Sequence, residues 1–384
     1  MAVQKTLMTG YSTLEYKDKV ASEQKAALER LLDSLPEYVR EYAEYKEPKL
    51  SIKTCREYIQ DLYSFFCFIV DVIPDYQDST TNDVPLEALS SLSLNDFGKY
   101  EHWLMRDDRG GGYNSPTTIK RKKSSLRSFY NYLYASDRIS VNPVAKIESS
   151  RNERKPREDI RVLTNEERVP FLAEFDKNYD LAVKRLNEAT VLAQEKGKKV
   201  AEAIRMKPAI TKRDKAIIYL FLGSGLRVSE LCAINCADYV PSLKRINVIR
   251  KGEGQNKKKT RTDYVLLSDE VVYVLDEYIK EFRDTIGPDI NNYDALFLSS
   301  KHTRLTPRAI EQMVEKYANA TLGTNSGIHP HVLRASFGFR YQEQYGDILA
   351  TSEVMNHSSV DVTAQHYLRR KEDSKIAAQN ISIT

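Results

Sequence analysis

KRINVIRKGEGQNKKKTRTDYVLL, residues 244–267, is where the chain changes period. Apolar and polar side chains alternate on each side of Gly252-Glu253-Gly254, which predicts a β-hairpin or small antiparallel sheet. The sequence around it keeps helical spacing. Immediately upstream, RDKAIIYLFLGSG (213–225) is a strongly apolar helix ending at Gly223 and Gly225. Before that, NEERVPFLAEF (165–175) reads as a helix, and 180–206 as a charged, Ala-rich helical insertion. Everything after Asp269 returns to three- and four-residue spacing. The second half is therefore expected to be mainly helical with a small antiparallel sheet.

The first half has no such change. ALERLLDSLPEYVREYAEYKE (27–47) and SIKTCREYIQDLYSFFCFIVDVI (51–73) read as two amphipathic helices, the second with Tyr58, Leu62, Phe65 and Phe66 on one stripe. Leu94-Asn95-Asp96 opens a third helix, and Ser115-Pro116 starts a fourth over TTIKRKKSSLRSFYNYLYAS. The fourth puts Leu126, Phe129, Tyr130 and Leu133 toward a core. Its Lys120, Arg121, Lys122, Lys123 and Arg127 carry charge with no acid between Arg109 and Asp137. Such a stripe suits a phosphate backbone, though a solvated helix face has the same pattern. ESSRNERKPREDIRVLT (148–164) is charged, poor in large apolar residues and interrupted by Pro156, so the expected layout is a helical domain at 1–145, a linker at 146–160 and a second domain at 161–384.

A length of 384 residues suits two cores better than one, and 41% hydrophobic with 29% charged residues is ordinary for a globular chain. No apolar run is long enough to span a bilayer, and the opening residues lack a signal-like apolar stretch, so a cytoplasmic protein is expected. Cys55, Cys67, Cys232 and Cys236 sit in helical apolar patterns without metal-finger spacing and read as reduced core residues. A net charge of +4 is too small to prove a polyanionic partner, so the placement of charge carries more weight.

Four short motifs carry residues with chemistry. GSGLRVSEL (223–231) sets Arg227 and Glu230 three apart at a helix start, where backbone N–H groups favour an anion. A surface salt bridge is the plainer reading of that pair. HPHVLRASFGFRY (329–341) puts His331 and Arg334 on one helical face; His329 stands before Pro330, outside the helix. In the hairpin, Lys251 is followed by Lys257, Lys258, Lys259 and Arg261, any of which a solvated turn would also display. EVMNHSSVDVTAQHYLRR (353–370) places His357 ten residues before Tyr367, one of 24 tyrosines. Two arginine forks can grip a phosphate while a histidine, a lysine and a phenol supply base, acid and nucleophile. That set calls for no metal and no cofactor.

The order Arg, Lys, His-x-x-Arg, His, Tyr, carried by GLRVSEL, RKGEGQNK, HVLR, NHSS and Tyr367, resembles the tyrosine recombinases, the family of phage integrases and Xer proteins. TTIKRKKSSLRSFYNYLYASDRISVNPVAKI is similar to the last helix and exit of that family's core-binding domain. LPEYVREYAEYKEPKLSIKTCREYIQDLYSFF and the helical insertion look like the Xer proteins that act as a single recombinase, the XerS type. Two departures stand out: Ala335 where Xer proteins usually carry a second histidine, and Met355-Asn356 where Leu-Gly is usual.

The resemblance implies a SAM-like helical core-binding bundle and a mixed α+β catalytic domain. It implies a double-stranded DNA site as substrate and a 3′-phosphotyrosyl intermediate on Tyr367. Arg227 and Arg334 would hold the phosphate, His331 would assist the phenol, and His357 would donate to a phosphate oxygen. Lys251 would protonate the leaving oxygen and Glu230 would orient its neighbours. Lys120, Arg121, Lys122, Lys123, Arg127, Lys257 and Lys259 are the expected DNA contacts. The implied assembly is a tetramer on two sites at the nucleoid, passing through a four-way junction, with an accessory DNA translocase or excision factor as further partner and no membrane. The implied purpose is chromosome dimer resolution or mobile-element movement. A type IB topoisomerase-like relaxase and a non-catalytic DNA-binding protein are the alternatives, distinguished by relaxation without a specific site and by absence of a covalent adduct.

Overall fold

The computed structural model describes residues 13–105, 114–146, 161–251, 260–287 and 294–356. These group into two compact units, one within Lys17–Arg157 and one within Glu158–Thr384.

The first unit is helical. α1 (Thr13–Leu32) and α2 (Glu37–Lys46) are followed by α3 (Ile52–Val72), α4 (Leu86–Ser91), α5 (Leu94–Met105) and α6 (Pro116–Ala135). The stretch 27–47, read as one helix, is broken: Pro36 has no N–H to continue α1 and becomes the cap of α2. Ser51 and Ser115 each accept from the backbone N–H three residues on, at 3.2 Å, which fixes where α3 and α6 begin. The core is rich in aromatic rings. Phe65 of α3 is fully buried, lies parallel to Phe97 at 6.2 Å and meets Tyr100 edge-on at 5.1 Å. Leu126, Phe129, Tyr130 and Leu133 of α6 all close this core.

The second unit begins with α7 (Asn165–Glu195), a single 31-residue helix. Two separate helical segments were expected there. A capping box between Thr164 and Glu167 starts it, and Pro170 falls in its second turn without ending it. After α8 (Glu202–Arg205) comes α9 (Lys207–Ser224), whose Ile217, Ile218, Leu220 and Phe221 are wholly buried. α10 (Val228–Ala233) leads into a sheet of order β1 (Tyr239–Val240), β2 (Arg245–Lys251), β3 (Thr260–Leu266), antiparallel throughout. Ile246 and Val248 alternate inward and pair with Val265 and Asp263, as the period-two reading requires.

The remaining α-helices are α11 (Asp269–Glu277), α12 (Arg283–Ile286), α13 (Pro307–Leu322), α14 (Pro330–Tyr345) and α15 (Ile348–Met355), with a π-helical turn at Tyr278–Phe282 joining α11 to α12. Helical spacing does not hold throughout this part. Between α12 and α13, single bridges join Asn235 to Ala295 and Leu298 to Arg304, so the extended chain is stitched to its neighbours. α9 packs against α7, α11 and α14 and forms the centre of the unit. Among the described residues no helix is long and apolar enough to cross a membrane.

Candidate active site

The site is assembled where three chain segments meet in the second unit: the turn from α9 to α10, the start of α14 and the end of α15. α9 ends because Gly225 adopts a left-handed φ of 61° and its N–H closes on the Phe221 carbonyl at 3.1 Å. A side chain at Gly225 would also collide with its surroundings, since a Cβ would lie 2.5 Å from Phe337 Cδ1 and 3.0 Å from Met355 Sδ. The bare backbone leaves its carbonyl facing Arg334.

Arg334 is buried, with its side chain donating through Nη1 to Gly225 O and through Nη2 to Met355 O. One guanidinium thus joins the end of α9 to the end of α15. Arg227, the N-cap of α10, donates from Nη1 to Glu230 Oε1 at 2.9 Å and from Nη2 to Asn356 O at 2.6 Å. Glu230 is buried, and its other oxygen accepts the Arg227 backbone N–H at 2.9 Å. The carboxylate therefore grips both ends of one residue and fixes its fork, which stays 36% exposed.

His331 lies in the first turn of α14, after His329 at the N-cap and Pro330 at the first helical position. It is three residues before Arg334 on the same helix, as the spacing predicted. Partial burial of its ring is the largest cause lowering its pKa from the ordinary value. The charges of His329, Arg334 and Arg227 push the same way, against Glu311. The shift favours the neutral imidazole, the form that can accept a proton.

Lys251 is the last residue of β2, paired with Thr260 across the hairpin. His357, Tyr367, Lys257 and Lys259 lie outside the described residues. Among the described residues, no group of three His, Cys, Asp or Glu side chains could hold a metal ion.

Four residues that the motif reading did not assign join the site. Arg250 is 4% exposed and pairs with Asp263 at 3.0 Å; Arg261 reaches Asn356 Oδ1 at 2.8 Å and lies 3.6 Å from Asp263. The unusual Asn356 was visible in the sequence, but its partners were not, because they lie about a hundred residues away in the chain.

In the first unit, the basic stripe of α6 has more company than its own sequence suggested. Arg121 and Ser125 both hydrogen-bond Asp61 of α3, Lys122 donates to Ser64 at 2.6 Å, and Lys123 pairs with Glu101 of α5 at 2.7 Å. Asp61 is buried, and burial raises its pKa against the opposing pull of Ser125, Arg121 and Lys122. The Lys122 side chain is only 11% exposed, so it anchors α6 on α3, while Lys120 and Arg121 face solvent.

Comparison with known proteins covers most of the chain. A model described as the phage integrase family matches residues 185–373. A tyrosine recombinase XerC from Caldanaerobacter subterraneus subsp. tengcongensis is 29% identical over 324 residues, covering 82% of this chain and 77% of that protein. A tyrosine recombinase XerD from Oceanobacillus iheyensis is 27% identical over 317 residues, covering 83% and 88% respectively. Among solved structures, the Tn1549 transposon integrase in complex with a circular intermediate DNA superposes with a TM-score of 0.57 at 18% identity, over 90% of this chain and 99% of that one. The XerH site-specific recombinase bound to palindromic difH substrate gives 0.57 at 18% identity, over 86% and 80%. At such identities the structural likeness speaks for the fold.

Proposed function

Because the chain belongs to the phage integrase family of tyrosine recombinases, we propose that it cuts and rejoins DNA at a specific site, with the pocket of Arg227, Glu230, His331 and Arg334 as its phosphate-activating centre. The observation that carries this reading is the convergence of both guanidiniums on the carbonyls of 225, 355 and 356, with a histidine three residues before Arg334 on the same helix. Two cations held by fixed backbone acceptors need little reorganisation when charge builds on a phosphoryl group.

In the proposed reaction the Tyr367 oxygen attacks the scissile phosphorus and the bond from phosphorus to O5′ breaks. The products are a 3′-phosphotyrosyl enzyme and a free 5′-hydroxyl. A free phenol has a pKa of about 10, so His331 takes its proton as the new bond forms. Lys251 gives a proton to the departing O5′. Arg227 and Arg334 bind the five-coordinate phosphorus more tightly than the diester, and His357 donates to one of its oxygens. Glu230 keeps Arg227 in place. The phosphotyrosyl bond conserves the energy of the broken one, so a 5′-hydroxyl from the partner strand completes the exchange without a nucleotide cofactor.

DNA is the substrate, and four copies on two sites, exchanging strands through a four-way junction, form the working assembly. Lys120 and Arg121 in the first unit and Lys257 and Lys259 in the hairpin would contact its backbone. Chromosome dimer resolution or mobile-element movement, assisted by a DNA translocase or an excision factor, is the purpose this chemistry serves.

The direct test uses duplexes selected by this protein from a random pool and nicked near the site, so that the freed short strand diffuses away. A covalent protein–DNA adduct should accumulate under denaturing conditions. Site-independent plasmid relaxation with no recombinant would favour a relaxase, and no adduct on any selected duplex would remove catalysis from the reading.

The pH dependence follows from His331. Its pKa is lowered in the DNA-free chain, so it is neutral above that value and its proton-accepting form is lost as pH falls through it. Cleavage at subsaturating DNA, which reports the free enzyme, is expected to show an acid limb centred below about 6.5, the ordinary histidine value. His331→Gln should be slower and should lack that limb; an unchanged limb in the variant would assign it to another group.

A further inference from the structure

Resting on the reading of the pocket as a phosphodiester-cleaving site, we propose that Asn356 is a positioning residue that couples the hairpin bearing Lys251 to the arginine pair. A continuous path of polar contacts runs through it. Arg250 Nη1 donates to Asp263 at 3.0 Å, and Arg261 Nη2 lies 3.6 Å from the same carboxylate oxygen. That Nη2 donates to Asn356 Oδ1 at 2.8 Å, while the Asn356 carbonyl accepts from Arg227 at 2.6 Å and Arg227 reaches Glu230 at 2.9 Å. The residue divides its labour: the side chain holds the sheet and the main chain holds Arg227.

The backbone at this position explains why an asparagine serves. Asn356 ends α15 in the left-handed conformation, φ 47° and ψ 57°, which glycine adopts without steric cost and asparagine tolerates better than most residues. Glycine would offer the same carbonyl to Arg227. What asparagine adds is the amide oxygen of a buried residue, an acceptor for the charged fork of Arg261, which is itself half-exposed.

Coupling matters because of what the hairpin must do. Arg261 stands opposite Arg250, one rung from the Lys251 and Thr260 pair. In the proposed reaction Lys251 and Arg227 serve one phosphate, and tying the ribbon at that rung would hold the backbone that carries the lysine to the residue that holds Arg227. Released, the ribbon would bring the acid and the clamp to the phosphate independently, and the leaving oxygen would depart less often with a proton in reach.

The test compares single-turnover cleavage by the full chain on its site with an ordinary scissile phosphate and with sulfur replacing the bridging O5′. A thiolate leaves without needing a proton. Asn356→Gly keeps the backbone conformation and the carbonyl, and should cut the oxygen substrate roughly ten- to hundredfold more slowly with DNA affinity unchanged. Asn356→Asp, which keeps an acceptor, should restore most of the rate. On the sulfur substrate Asn356→Gly and Lys251→Ala should both cut as fast as the native chain. Native cleavage of the oxygen substrate by Asn356→Gly would overturn the proposal. So would a defect equally large on sulfur, which would put Asn356 in the service of Arg227 alone. If the native chain forms an adduct with neither substrate, the reading beneath the proposal fails instead.

Discussion

Tyr367→Phe is expected to abolish the covalent adduct on a nicked suicide duplex while leaving binding to that duplex intact. Phenylalanine removes the one atom that can bond to phosphorus and keeps the ring, so the loss should be complete rather than graded. The choice among 24 tyrosines is narrowed by physical state. Burial raises the phenols of Tyr38, Tyr42, Tyr100, Tyr130, Tyr278 and Tyr317 above their ordinary range, which makes each a poorer source of phenolate. Tyr45 on α2 is the opposite case: its hydrogen bond with Lys49 lowers its pKa, and it is exposed. On acidity alone Tyr45 would supply a phenolate more readily than those six, yet it belongs to the helical first unit, and the segments that build the arginine pocket all belong to the second. Tyr45→Phe should therefore retain the adduct. Denaturing gel mobility of labelled DNA separates the two variants, and an adduct persisting in Tyr367→Phe would sink the nucleophile assignment.

The sequence announced elements whose cause is local and concealed those whose cause is distant. Ser115-Pro116 starts α6 because cap and first-turn chemistry act within three residues. The hairpin was legible because Ile246, Val248 and Val265 alternate inward on a small sheet. The single long α7 was harder to read, since Leu181, Val191 and Leu192 remain exposed and blur the stripe that defines a buried helical face. At the site, His331 and Arg334 could be placed on one helix by spacing. Nothing in that spacing shows that Gly225, 109 residues earlier, supplies the carbonyl that holds Arg334. The same limit applies to α6: Asp61 lies 60 residues before Arg121, so the stripe looked uniformly cationic until the fold supplied its acids.

Arg334→Lys is expected to slow cleavage by about 10²–10³-fold, the usual cost of losing one well-placed donor to transition-state charge, while DNA affinity changes little. The charge survives the substitution, so long-range attraction to the phosphate backbone survives with it. The geometry does not. A planar fork can reach Gly225 O and Met355 O from different nitrogens and still present a fixed edge. A lysine ammonium is a single point at the end of a flexible stem; it cannot span both carbonyls, and each buried carbonyl left unsatisfied costs about 1–3 kcal/mol. The variant should therefore also melt earlier than the native chain. Arg227→Lys provides the contrast, because its fork is partly exposed and its main-chain N–H keeps its bond to Glu230. It should lose rate with a smaller loss of stability. Single-turnover cleavage at saturating DNA, measured well below each variant's melting temperature, separates the two effects. A rate for Arg334→Lys within a few-fold of native would mean that Arg334 serves the fold by joining α9 to α15, and that another donor carries the phosphate charge.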